Sequence, residues 1–220
     1  MSRLVALVTC LLFSVTVHAQ TSLVVHNTGV DSSDVLVSPG APGAFWTLLS
    51  APSGATEAAG SSSFRYFNFA YAPDSSTSAW VSPGASGNAS VSGLYVYQLL
   101  VDLTGIDPAT VVITGQFATD NDGFIRVNGG ASAATQGFSG FGSLTSFTLS
   151  SGFVAGINSI EVGVNNGGNP TAFRVEFASA TGTPLPPVPA MPPGFLIVLA
   201  LILTGSLAWA LRRRAGPARA

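Results

Sequence analysis

Seven residues near the end of the chain, 171-TAFRVEF-177, decide the fold. Phe173, Val175 and Phe177 fall on one side of an extended backbone, and Arg174 and Glu176 fall on the other. Successive strand side chains point to opposite faces, so this stretch predicts a strand with one buried face. The same period recurs upstream. In 158-NSIEVGV-164, Ile160, Val162 and Val164 alternate with Glu161 and Gly163. In 123-GFIRVN-128, Ile125 and Val127 alternate with Phe124, Arg126 and Asn128. Residues 93–103 are apolar on both faces, as expected of a long central strand, and 111–117 read as another. Shorter candidates cover 23–26, 44–49, 64–69, 78–81 and 146–150. Gly, Ser, Asn and Pro separate these runs, and no helical period or fixed repeat persists between 21 and 180. Eight or more short strands in about 160 residues predict an all-β sandwich.

Charge narrows the function. The chain has no lysine, and of its eight arginines only Arg65, Arg126 and Arg174 lie in this middle region. All ten carboxylates lie there too, giving the region a net charge of −7. Nucleic-acid binding requires the opposite sign, to displace counterions from phosphate, and is excluded. The single cysteine, Cys10, sits in an apolar leader, so the rest of the chain has neither thiol nor disulfide. The run Leu7-Val8-Thr9-Cys10 is a poor lipidation signal, because Thr precedes the Cys and the apolar stretch continues beyond it.

The two ends read as export signals. Residues 1–19 combine Arg3, an apolar stretch and Val17-His18-Ala19 before Gln20, the pattern of a cleavable signal peptide. Residues 20–180 then form the β-sandwich ectodomain. Six prolines make 181–193 an extended spacer. Residues 194–211 are expected to form a transmembrane helix; the uncharged run 195–211, at 1.5 Å per residue, spans about 25 Å. Arg212, Arg213 and Arg214 open an arginine-rich cytoplasmic tail, 212–220, and stop transfer. The expected location is the inner membrane, with the domain on the periplasmic side and open to release to the cell surface or matrix.

A proline-bearing motif, an apolar helix and an arginine cluster resemble the C-terminal sorting tails of the PEP-CTERM type in Gram-negative bacteria. Val188-Pro189-Ala190-Met191 is most similar to the start of the Ile-Pro-Thr-Leu variant. No Glu follows Pro189, and Pro192-Pro193-Gly194-Phe195 stands where the variant has Ser-Glu-Trp-Gly. The resemblance covers residues 188–214 and implies a processing membrane protease as a partner. A second resemblance runs from Asp102 to Glu176. It is carried by 102-DLTGIDP-108, 112-VITGQFATDN-121, Val127-Asn128-Gly129, 151-SGFVAGIN-158 and Arg174-Val175-Glu176. These are similar to galactose-binding-like domains, which implies a jelly-roll sandwich, with extracellular polysaccharide as a partner and, in some members, a structural calcium.

The residues offer little catalytic chemistry. His26 is the one histidine outside the leader, and no Gly-x-Ser-x-Gly elbow or phosphate loop occurs. A lone His and no thiolate make zinc a poor fit. Glu161 and Glu176 are the carboxylate pair a weak glycosidase would use, if they face one another across a cleft; they equally suit the polar faces of two strands. The turn Asp120-Asn121-Asp122-Gly123, with Asn128 closing the next strand, is the candidate binding site. Its oxygen atoms at Asp120 and Asp122 suit calcium. Asp, Asn and Gly also make such turns unaided, so a bare turn and a metal or sugar site are both open. Trp46, Trp80 and Tyr66 are aromatics that would stack on sugar rings if exposed, with Trp80 expected in the core. Tyr71, beside Ala72-Pro73-Asp74, is expected to stand exposed in a loop. Asn165-Asn166-Gly167-Gly168-Asn169-Pro170 is a flexible loop whose amides suit sugar hydroxyls. No cofactor is expected beyond that calcium. The function expected from the whole is a non-catalytic exported surface or matrix protein, with a calcium-dependent carbohydrate-binding module as the alternative.

Overall fold

The computed structural model describes residues 19–186, 204, 206 and 207. Residues 1–18 of the signal peptide, Val188, Pro189, Ala190 and Met191, and Arg212, Arg213 and Arg214 lie outside the described residues. The chain divides into two compact units, Met1–Leu185 and Pro186–Ala220. Among the described residues no helix is long and apolar enough to cross a membrane. In the second unit Thr204, Ser206 and Leu207 are helical.

The first unit is all-β. Its strands are β1 (Thr21–Ser22), β2 (Pro42–Ser50), β3 (Ser62–Arg65), β4 (Val81–Ser82), β5 (Gly93–Asp102), β6 (Ile106–Asp120), β7 (Asp122–Val127), β8 (Ser132–Gln136), β9 (Thr145–Leu149), β10 (Ile157–Asn166) and β11 (Ala172–Pro184). They pair in the order β8-β7-β10-β5-β2-β3-β4-β11-β6-β9, with β1 added beside β11. The sheet nearly closes on itself, giving a sandwich or barrel-like body.

Alternation builds the core. Phe173 and Val175 of β11 meet Ile160, Val162 and Val164 of β10, together with Ile125 and Val127 of β7, Tyr95, Tyr97, Leu99 and Val101 of β5, and Phe117 of β6, in one apolar cluster. Trp46 packs edge-on against Phe173, with ring centroids 5.4 Å apart, and its indole N–H donates to the His26 carbonyl at 2.9 Å. β5 lies centrally between β10 and β2, but its outer face is not sealed: Leu94 and Leu100 are exposed.

Three short expectations need correction. The run 23–26 is not strand, and β1 is confined to Thr21–Ser22. The run 64–69 forms strand only to Arg65, and 78–81 contributes only its last residue, Val81. β8 has no apolar alternation in its sequence, SAATQ, and exists because the edge of β7 accepts it. β11 runs through Thr183 to Pro184, four residues into the expected spacer. Its end pairs with Asp107 and Ile106 of β6 and with β1, and a proline is tolerated as the last residue of a ladder.

This topology sets two poles. Thr21 lies opposite Gly182 and Ser22 opposite Thr181, while the Leu185 amide donates to Gly105. The segment that enters the domain and the one that leaves it therefore share one pole. At the other pole, Ala172 lies opposite Asp120, and Asn165 lies opposite both Asp122 and Leu94.

Candidate functional site

Asp120 ends β6 and Asp122 begins β7, so the candidate turn is the corner at which the chain passes between them. The two carboxylates turn to different partners. Asp120 is 5% exposed; its Oδ2 accepts the Tyr71 hydroxyl at 2.5 Å and its Oδ1 accepts Asn121 Nδ2 at 3.0 Å. Asp122 faces Asn165, whose Nδ2 lies 3.4 Å from each carboxylate oxygen. Asn121 Oδ1 accepts the Gly167 amide at 2.6 Å, fastening the corner to the asparagine-rich loop. Among the described residues no group of three or more His, Cys, Asp or Glu side chains is placed to hold a metal ion.

Burial raises the Asp120 pKa, and the Tyr71 hydrogen bond works against that rise. Burial and the neighbouring carboxylate in turn push the Tyr71 hydroxyl well above its ordinary range, so it remains a donor.

Tyr71 is not the exposed loop aromatic expected from its neighbours; it is 6% exposed. Its ring packs on Trp80, Tyr66 and Phe141 at 4.5, 6.0 and 5.6 Å between centroids. Once a tyrosine hydroxyl has a buried acceptor, the whole ring can be covered. Trp80 is core, as expected, and donates its indole N–H to the Ala72 carbonyl at 2.7 Å.

Asn128 does not belong with the corner. It lies just beyond the far end of β7, roughly 20 Å from Asp122 at strand rise. There it adopts φ +49° and donates to Gly152 and Asn158, while its Oδ1 accepts the Ser159 amide. That is the work of a turn residue.

Glu161 and Glu176 do not face one another. Each alternates with core residues of its strand, β10 and β11 are not neighbours in the sheet, and each is held by a different arginine; Glu161 is itself buried. Arg126 Nε lies 2.8 Å from Glu161, and Arg174 Nη2 lies 2.6 Å from Glu176. His26 Nδ1 meets Asp34 at 2.7 Å and its ring stacks on Phe45 at 3.5 Å. Among the described residues no serine or threonine hydroxyl bonds its other ring nitrogen.

The residues missed from sequence are Phe67 and Phe69. They border a cavity of about 270 Å³ whose walls include Asn68, Tyr71, Pro73, Asp74 and Trp80. Both sit in a run read as strand, where their exposure had no separate signal. Asp74 is fixed by Arg65 Nη2 at 3.0 Å and by the Trp80 amide at 3.1 Å.

Comparisons with protein-family profiles, with curated proteins and with solved structures find no match to this chain.

Proposed function

We propose that this chain is an exported, non-catalytic surface protein. Its β domain is a galactose-binding-like jelly roll, held outside the inner membrane by a PEP-CTERM-like tail and released from it to the cell surface or matrix. The observation that carries this reading is the pairing of β1 with β11. It brings the residues after the leader and those before the proline spacer to one pole, so a single tether leaves the opposite loops free. The charge pattern supports a non-catalytic role. His26, Arg65, Arg126 and Arg174 are each bound to a carboxylate of the same domain, and Glu161 and Glu176 are held by different arginines.

The test follows an epitope inserted after Gln20 in the native host. Two species are expected: a membrane-bound precursor and a shorter product lacking the tail. Neutral replacement of Arg212, Arg213 and Arg214 should weaken retention of the precursor, because those charges resist crossing at about 2.5–3.5 kcal/mol each. A single full-length, membrane-bound band would overturn release, and a cytoplasmic band would overturn export.

A further inference from the structure

The chain contains no lysine, so its only primary amine is the one at its N-terminus. The export reading places the cut after Ala19 and makes Gln20 the first residue. A terminal glutamine carries a nucleophile and an electrophile on one residue. Attack of its α-amine on its own Cδ closes a five-membered ring.

The fold leaves Gln20 free to close. Gln20 is exposed, and among the described residues its side chain has no hydrogen-bond partner. The residues after it are fixed. Thr21 lies opposite Gly182, Ser22 lies opposite Thr181, and the Leu23 amide donates to the Ala180 carbonyl at 2.9 Å. β1 thus begins one residue beyond the new terminus, and ring closure disturbs none of its pairs. Gln136 shows the contrast. Its Oε1 accepts the Thr119 amide at 2.6 Å, and its Nε2 donates to the Gly140 and Ser143 carbonyls at 2.7 and 2.8 Å. A carboxamide held on both sides cannot turn, whereas that of Gln20 can.

The reaction needs no co-reactant. The lone pair of the neutral α-amine attacks Cδ, and an N–Cδ bond forms. The Cδ–Nε2 bond breaks, and one amine proton leaves with Nε2 as ammonia. Nothing is oxidised or reduced. An α-amine has an ordinary pKa of about 7.7–8.0, so a share of it is neutral and nucleophilic near pH 7. Holding both groups on one residue supplies the high effective concentration of an intramolecular step.

We infer that Gln20 is a modification site: in the exported chain it closes to pyroglutamate and leaves the mature protein with no primary amine. The inference rests on the export reading for the position of the cut, and on neither the tail nor any ligand. Its first consequence is electrostatic, because capping removes the terminal charge. The arginines and the histidine of residues 20–185 each face a carboxylate, so the terminal ammonium is the one cation there without such a partner. Its second consequence is chemical. The surface loses its single group for acylation and for condensation with aldehydes, and aminopeptidases, which bind a free terminal amine, lose their handle.

The full chain is expressed in its native host, and the exported form is denatured at harvest in the presence of an amine-reactive succinimidyl ester. Trypsin then releases the N-terminal peptide, which ends at Arg65, for mass analysis. The expected peptide begins at Gln20, is lighter than its sequence by one ammonia and carries no label. Labelling before digestion separates ring closure in the cell from closure during handling. Gln20→Asn keeps a carboxamide but would need a four-membered ring, so its peptide should keep full mass and take one label per chain. A labelled wild-type peptide that begins at Gln20 would overturn the inference and leave export standing. A peptide that begins at any other residue would overturn the cut and the inference together, and its mass tells the two failures apart. An unlabelled Gln20→Asn peptide would show that something other than ring closure blocks the amine, and would also overturn the inference.

Discussion

Tyr71 and Asp120 show how one hydrogen bond turns two apparent surface residues into core. The loop at 71 and the turn at 120 are both rich in turn formers, yet each buries a polar group against the other. Burial raises the Asp120 pKa, so its ionisation costs the folded state stability as pH climbs from the unfolded value of 3.8 through the raised folded one. The Tyr71 donor offsets part of that cost. Tyr71→Phe should therefore lose about 1.5–3 kcal/mol at pH 7, the worth of a hydrogen bond to a charged group. The loss should shrink below pH 3.8, where the carboxyl is protonated in both states. Urea melts at pH 3 and pH 7 would check this, and an equal loss at both would refute it. Because Asp120 and Asp122 serve Tyr71 and Asn165 separately, millimolar calcium should leave the melting temperature unmoved. A cation held by both would raise stability by about 2.7 kcal/mol at a hundredfold excess over its dissociation constant.

Among the elements, the long β6–β11 ladder depends on a residue with no side chain. A Cβ at Gly115 would overlap the Glu176 carbonyl oxygen and lie 2.7 Å from Phe147 Cζ. Both obstacles are backbone or packed core, so neither can swing aside. Gly115→Ala should destabilise by about 1–3 kcal/mol or more, the cost of overpacking. Gly137→Ala, in a loop where a Cβ meets nothing within 4 Å, should stay within about 0.5 kcal/mol. Parallel thermal melts of the two variants test the contrast, and equal stabilities would show that β6 can shift away from β11. Gly163 serves a similar end on β10, where the Phe124 ring lies across it.

At the scale of the whole molecule, the first unit must stand on packing alone, since no disulfide is available to it. Its arginines pair with its own carboxylates while one apolar cluster draws on both ends of the strand order. Residues 20–185 produced without the flanking segments should therefore unfold in a single cooperative transition. Their far-UV circular dichroism should be that of strand. A helical content near the roughly 30–35% of an average globular domain would contradict the fold. A truncation at 180 should be less stable than one at 185, because it removes the end of β11 on which β1 and the start of β6 depend.

The period of 171–177, 158–164 and 123–128 was enough to determine an all-β fold, because alternation is local and needs only the pleat to express it. The lone thiol at Cys10 and the charge of −7 were equally plain, since composition is independent of folding. Partnership was not legible. Tyr71 found Asp120 across 49 residues, Asn128 was carried away from the corner by the length of β7, and SAATQ became a strand only beside β7. Nor could the sequence show that Thr21 lies against Gly182, or that Phe67 and Phe69 stay outside while Tyr71 goes in. Those outcomes depend on which strand edges meet, and edges meet through contacts far apart in the chain, where the energy of burying one ring or pairing one carboxylate is settled by what arrives from elsewhere.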